Sequence, residues 1–217
     1  MLPRLAGHET RVAYQGSPGA FGEAAVARAW EGAAVAVPAR TFCSVLALVT
    51  ESRVEYGVLP LWNTLIGSVR PAWEALDQFA TEVTSVGEIS VPVSLCLVAL
   101  PGTTLDDVRL VGSHPAALGQ CKQFFASRPY VQACSASDTA GAARELALLA
   151  RGAGVADAGE DASWFSSLAF DGPRELAAVS SRAAAEIYGL EVIAEGIQDE
   201  ARNVTRFSIL QARGAVL

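Results

Sequence analysis

Short apolar runs alternate with stretches whose hydrophobic residues recur every three or four positions, almost from the start of the chain. Val12-Ala13-Tyr14 predicts a strand, the alanine-rich segment from Phe21 to Trp30 a helix, and Val35 to Val37 a second strand. Across Thr41 to Ser52, the residues Phe42, Val45, Leu46 and Val49 fall on one helical face. Tyr56-Gly57-Val58-Leu59-Pro60 predicts a buried strand ending in a turn. Gly67 to Phe79 then predicts a helix with Pro71 in its first turn, where a missing N–H breaks no bond.

The rhythm changes between Val83 and Leu100. Two apolar runs, Val86 to Val91 and Val93 to Leu100, are separated only by Pro92, with no helix between them. This is the expected crossing from a first lobe (10–91) into a second (92–213), with the option that part of the C-terminal segment returns to the first. Beyond it the alternation resumes: strand Arg109 to Gly112, helix Pro115 to Ala126, strand Tyr130 to Cys134 and helix Asp138 to Arg151. Strand Leu176 to Val179, helix Arg182 to Tyr188, and strands Val192-Ile193 and Arg206 to Leu210 follow. The pattern is α/β, for which parallel sheets are the usual outcome. Gly152 to Pro173 interrupts it, mixing Gly, Asp and Ser with Trp164, Phe165 and Phe170. That segment reads as a surface excursion packing its aromatics on the nearer lobe, or as a lid or subunit contact.

Composition narrows the class. With 51% hydrophobic and 18% charged residues over 217 positions, the chain has the balance of a globular protein and not of a disordered one. A formal charge of −7 and a pI near 4.9 argue against a nucleic-acid partner, because no basic stripe is present to neutralise phosphates. The same charge repels anions at long range, so an anion site must rest on local donors. No run approaches the roughly 18 apolar residues of a membrane span, and MLPRLAGHET lacks a signal-peptide core, which reads as a cytoplasmic protein. Cys43, Cys96, Cys121 and Cys134 have no CxxC spacing and read as buried thiols; with only His8 and His114, no metal site is expected.

Candidate chemistry sits at strand ends. Gly16-Ser17-Pro18-Gly19-Ala20-Phe21 joins a strand to a helix and suits either an anion cradle or an ordinary turn; it is not GxGxxG, so no dinucleotide is implied. Asn63 and Thr64 follow the Tyr56 strand, where open α/β sheets place ligands, but they equally suit a cap or Asx turn. Ser113-His114-Pro115 opens a helix with Ser113 as a suitable N-cap, and Leu118, Cys121 and Phe125 form its expected core face. His114 reads as a local hydrogen-bonding residue before a catalytic base. Thr205 and Arg206 stand in sequence beside each other, a hydroxyl donor next to a guanidinium, which suggests carboxylate binding and leaving-group assistance at one spot; on spacing alone, a β residue and a surface charge are the plainer reading.

Taken together and in order, these pieces resemble the prephenate dehydratase family. The resemblance runs from about Arg11 to Leu210. It rests on Tyr14, Gly16, Gly19 and Phe21; on Gly57, Val58, Pro60, Asn63, Thr64 and Gly67; and on Ser113, His114, Pro115, Gln120 and Cys121. Ser181, Ala184, Ala185, Tyr188, Gly189 and Leu190, then Asn203, Thr205, Arg206 and Phe207, complete it. The resemblance implies a two-lobed α/β fold similar to type II periplasmic binding proteins, with the active site in the inter-lobe cleft. It implies the decarboxylative dehydration of prephenate to phenylpyruvate in phenylalanine biosynthesis, without a cofactor, by a homodimer.

By the same resemblance Thr205, Asn63, Gln120 and Ser113 are catalytic, and Arg206, Phe207, Thr64, Gly19, Ala20 and Ser181 bind substrate. A threonine hydroxyl is too weak an acid to give up its proton outright, so hydrogen-bond assistance to the departing oxygen is the defensible role for Thr205. Arg206 is expected either to hold a carboxylate bidentately or to orient Thr205. Two departures stand out. Trp62 occupies the place of the family's usual Glu, and Leu217 lies just past the catalytic strand, so regulation through the phenylalanine-binding ACT domain into which most family members continue is not expected. Arogenate dehydratase, or a non-catalytic small-anion binder of the same fold, are the alternatives; Trp62 favours the binder, Thr205-Arg206 the enzyme.

Overall fold

A computed structural model describes residues 9–151 and 164–215. They form strands β1 (Arg11–Gln15), β2 (Val35–Ala39), β3 (Tyr56–Asn63), β4 (Gly67–Ser68), β5 (Val83–Pro92) and β6 (Cys96–Ala99). β7 (Leu110–Ser113), β8 (Gln132–Ser135), β9 (Leu176–Ser180), β10 (Glu191–Ala194) and β11 (Val204–Ala212) follow. The helices are α1 (Phe21–Ala29), α2 (Phe42–Thr50), α3 (Arg70–Gln78), α4 (Pro115–Leu118), α5 (Lys122–Ala126), α6 (Thr139–Ala150) and α7 (Arg182–Tyr188). The described residues divide into two compact units, one comprising 9–16, 21–93 and 202–215, the other 17–20, 94–151 and 164–201. Among the described residues no helix is long and apolar enough to cross a membrane.

The first unit is built on a sheet of order β2-β1-β3-β11-β5, with β4 paired to β3. β1 runs parallel to β2 and β3, but β11 is antiparallel to both β3 and β5. The expectation of a parallel sheet is therefore corrected to a mixed one, because the C-terminal strand inserts between two strands from the first half of the chain. Helix α2 forms as its pattern dictates: Thr41 accepts from the Ser44 N–H at 3.0 Å as N-cap, and Val45, Leu46 and Val49 are buried. They pack with Ala13, Leu59, Ala72, Ala75 and Leu210 into the core.

Two local expectations change here. β3 does not turn at Pro60 but continues to Asn63. Pairing to β1 stops at Val58, and on the other side the register steps from Phe207↔Pro60 to Arg206↔Trp62, so Leu61 bulges out. The carbonyl of Leu61 is met by the Val69 N–H at 3.1 Å and the Trp73 indole N–H at 2.9 Å. The helix expected from Gly67 begins only at Arg70, because Gly67 and Ser68 pair back onto Asn63 and Trp62 as a hairpin.

The second unit carries the sheet β10-β6-β9-β7-β8, with β6 antiparallel to β9 and β10 and the remaining neighbours parallel. The helix expected over Pro115–Ala126 is broken at 119–121 into α4 and α5. Asp138 caps α6 by accepting from Gly141 N–H at 2.6 Å, and Ala142, Ala143 and Leu146 face the core. Of the irregular segment, 152–163 lies outside the described residues. The aromatics beyond it pack inward: Trp164 and Phe165 are buried, in edge contact with ring centres 5.1 Å apart. The Trp164 indole donates to the Ala142 carbonyl at 3.2 Å and lies flat against Gly112 of β7, where a Cβ would run into the ring.

Gly112→Ala is thus expected to lower stability by about 1–3 kcal/mol through overpacking. Thermal or urea unfolding measures it, and a loss well below that range would mean that Trp164 can shift aside.

Candidate active site

The polar cluster of the first unit grows from two strand ends in register. β11 places Thr205 opposite Asn63 and Arg206 opposite Trp62. Because successive side chains on a strand leave opposite faces, each cross-strand pair has its own side of the sheet. On one side the Asn63 amide donates to Thr205 Oγ1 and to Asn203 Oδ1, both at 2.8 Å. Asn63 Oδ1 accepts from the N–H groups of Leu65 (2.9 Å) and Ile66 (3.3 Å) in the hairpin turn. Those two backbone donors fix which way the amide points, since the reversed group would set N–H against N–H. All three side chains are buried: Asn203, Asn63 and Thr205 are 2%, 4% and 8% exposed.

On the other side the Arg206 guanidinium lies over the Trp62 ring, 4.7 Å from its centre, and is solvent-exposed. The expectation that Thr205 and Arg206 serve one spot is corrected by strand alternation: neighbours in sequence, they point apart. Phe207 shares the side of Thr205 and is buried in the core at 3% exposure. Thr64 has an engaged hydroxyl, accepting from Val204 N–H at 2.9 Å and donating to the Arg202 carbonyl at 3.1 Å. With Thr64 N–H on the Val204 carbonyl at 3.0 Å, it fastens the start of β11 to the end of β3.

The second unit holds the other expected residues. Ser113 is fully buried and donates to the Val179 carbonyl at 2.7 Å. It does not cap α4; His114 does, with Nδ1 accepting from Ala116 N–H at 3.1 Å. Gln120 stands in the break between α4 and α5. Cys121 beside it is fully buried, and its thiol pKa is pushed up to about 12, by burial first and the Asp199 carboxylate second, so it is no nucleophile. Leu118 and Phe125 are only half-buried.

The loop 17–20 belongs to this unit although β1 and α1 on either side of it do not. Ser181, the N-cap of α7, accepts from Ala184 N–H at 3.0 Å and donates to the Gly19 carbonyl at 2.6 Å. Ser17 donates to Asp138 at 3.0 Å and the Tyr188 hydroxyl to the Pro18 carbonyl at 3.0 Å. Gly19 has φ +89 and lies so close to α7 that a Cβ would sit 2.6 Å from Ala184 Cα. Ala20 packs on the core of the same unit. Reading single motifs missed Asn203, Asp138 and Asp199 as supporting residues; for Asn203 a signal existed, since two residues from Thr205 on a strand means the same face. Among the described residues no group of three or more His, Cys, Asp or Glu is placed to hold a metal ion.

These features define a two-unit α/β protein with buried polar clusters at its strand ends. The family profile of prephenate dehydratase matches residues 12–215, and the chain belongs to that family. It is 36% identical over 204 residues to arogenate dehydratase/prephenate dehydratase 2, chloroplastic, of Arabidopsis thaliana, covering 94% of this chain and 47% of that one. It is 38% identical over 205 residues to arogenate dehydratase 1 of Petunia hybrida, covering 94% and 42%. The chain therefore spans less than half the length of these relatives. Among solved structures, prephenate dehydratase from Arthrobacter aurescens in complex with L-Phe superposes with a TM-score of 0.73 at 27% identity, covering 95% of this chain and 62% of that one. GqqA, described as a novel type of quorum quenching acylase, reaches 0.74 at 31% identity, covering 95% and 66%.

His114 gives the second unit a pH dependence. His114 is exposed as a residue, yet partial desolvation of its imidazole holds the pKa below the ordinary 6.5, opposed in part by the Asp138 carboxylate. Protonation also removes the lone pair that caps α4. A base with a depressed folded pKa leaves stability intact above its unfolded pKa and erodes it as pH falls below about 6.5. His114→Asn, which can cap without titrating, is expected to flatten that part of a stability-versus-pH curve; an unchanged slope would remove His114 as its source.

Proposed function

We propose that the chain catalyses the decarboxylative dehydration of prephenate to phenylpyruvate, with arogenate as the sister substrate in which an amino acid replaces the keto acid. The observation that carries this reading is the Thr205 hydroxyl: buried, accepting from Asn63, and with no acceptor for its own proton among the described residues. The amide N–H fixes Oγ1 as acceptor and polarises the O–H, making it a better donor to a developing negative oxygen.

The chemistry suits such a group. The bond from the ring to its carboxylate breaks and carbon dioxide leaves. That electron pair enters the ring as the C4–O bond breaks, and the departing hydroxide takes one proton from solvent to become water. Aromatisation supplies the driving force, so the protein has to align the two breaking bonds and stabilise the leaving oxygen. We assign that assistance to Thr205, orientation of Thr205 to Asn63, and a neutral hydrogen bond to a substrate carboxylate to Gln120. Ser113 and Ser181 act by fixing the strand and loop that carry their neighbours, with Gly19 and Ala20 presenting the loop backbone. Thr64 and Phe207 hold β11 in place. Arg206 and Trp62, on the far face, are read as supporting the strand.

Acylase chemistry, suggested by the likeness to GqqA, needs a base to take the nucleophile's proton. Thr205 receives an amide donor instead, and His114 caps its own helix. Homodimerisation is proposed on the family resemblance alone.

Purified protein is expected to release phenylpyruvate from prephenate, or phenylalanine from arogenate, in a discontinuous product assay. Binding of either without product would make the chain a binder, and acyl-amide cleavage would favour the acylase. Thr205→Ala is expected to lower kcat by about 10²–10³ and stability by about 1–3 kcal/mol, because one buried Asn63 amide hydrogen loses its acceptor. Trp62→Glu is expected to change kcat by no more than about fivefold, the scale of an exposed ion pair with Arg206. A larger gain would mean that residue 62 reaches the chemistry after all.

A further inference from the structure

Helices α4 and α5 meet at a break that their own sequence does not close. Cys121, the residue before α5, makes no side-chain cap bond. The first N–H groups of a helix need acceptors, and here they come from far along the chain. Asp199, in the connection from β10 to β11, accepts from Lys122 N–H through Oδ2 at 3.0 Å and from Gln123 N–H through Oδ1 at 2.8 Å. Its own N–H donates to the Gln120 carbonyl at 2.6 Å. One residue thus grips the backbone on both sides of Cys121. The connection that carries it is held in turn: Ile197 N–H donates to the Leu95 carbonyl at 3.0 Å, and Leu95 N–H to Gln198 Oε1 at 2.9 Å.

We propose that Asp199 is a positioning residue that sets the placement of Gln120 for substrate, an inference resting on the dehydratase reading above. Two features support a role beyond helix stability. A five-residue helix gains little by itself from a cap, yet it is capped by a charged bidentate group rather than a local serine or threonine. The N–H of Asp199 also holds the Gln120 carbonyl, and its carboxylate fixes Lys122 and Gln123 just beyond it. The backbone bond from Asp199 N–H survives most substitutions, whereas the carboxylate clamp does not.

The test is a double-mutant cycle on the full chain with prephenate or arogenate, pairing Asp199→Ala with Gln120→Ala. Asp199→Ala is expected to lower kcat/KM by about 10- to 100-fold, the scale of a small misplacement of a binding group. In the Gln120→Ala background the same change should cost less than about threefold, because the group it positions is gone. Asp199→Asn, which keeps an acceptor oxygen for Gln123, should restore part of the loss and refold if the alanine variant does not. Equal losses in both backgrounds, or a Gln120→Ala enzyme with unaltered kcat/KM, would overturn the proposal while leaving the dehydratase reading intact. A wild-type protein without turnover of either substrate would overturn both.

Discussion

Asn63 uses its whole hydrogen-bonding capacity inside the fold. Its oxygen takes two backbone N–H groups of the hairpin turn, and its two amide hydrogens go to Asn203 and Thr205. Those four bonds join a local turn to a strand that lies far away in sequence. A side chain with fewer donors or the wrong polarity would leave a buried polar atom unpaired, at a cost of about 1–3 kcal/mol. Aspartate in this place would turn the Thr205 hydroxyl inward to donate, so that its proton would be used inside the cluster. The orientation of Thr205 thus depends on an amide whose own orientation is set by main-chain geometry.

The main chain must first be brought to that geometry. β11 enters between β3 and β5, and its register is set at both ends: by buried Ile209 and Leu210 against Val58 and Gly57, and by the Thr64 clasp on Val204 and Arg202. Between them the bulge at Leu61 absorbs one residue of β3. Without it Asn63 would face the next residue of β11, and the amide and hydroxyl would leave opposite faces. The bulge is stable because the freed Leu61 carbonyl is taken by Val69 and Trp73 on the connection into α3. A proline inside a strand, a poor sign when read locally, is thereby part of the device that aligns the site.

Much of this was legible in advance where the signal is local. The periodicity of α2 and the strand character of Val12-Ala13-Tyr14 both follow from side-chain pattern, as does the start of α6 at its Asp138 cap. The order of short motifs pointed to the family, which the match over residues 12–215 establishes. Features decided by distant partners were not legible. Pro60 reads as the end of a strand until β11 arrives to pair with it. Pro115 to Ala126 reads as one helix until Asp199 supplies a new N-terminus at Lys122. His114, expected as a local hydrogen-bonding residue, takes the cap expected of Ser113, because a neighbouring strand offers Ser113 the Val179 carbonyl. Adjacency in sequence misled most at Thr205-Arg206, where an extended backbone turns neighbours to opposite faces.

Under the proposed dehydration, that separation bears on how an acidic chain would manage an anionic substrate. A guanidinium beside Thr205 would supply long-range attraction, but it would also stabilise the dianion before reaction as much as during it, which leaves the barrier unchanged. The cluster around Thr205 is instead made of neutral amides and a hydroxyl. Buried and preorganised, such dipoles would act most strongly on the charge that develops as the C–O bond breaks in the proposed reaction. The charged group is kept on the opposite face, stacked on Trp62 and open to solvent, where its field is weakened by water. A carboxylate at position 62 would add a cross-strand ion pair there, but it would leave the donor set around Thr205 as it is. The tryptophan therefore changes how Arg206 is held far more than it changes the chemistry assigned to Thr205.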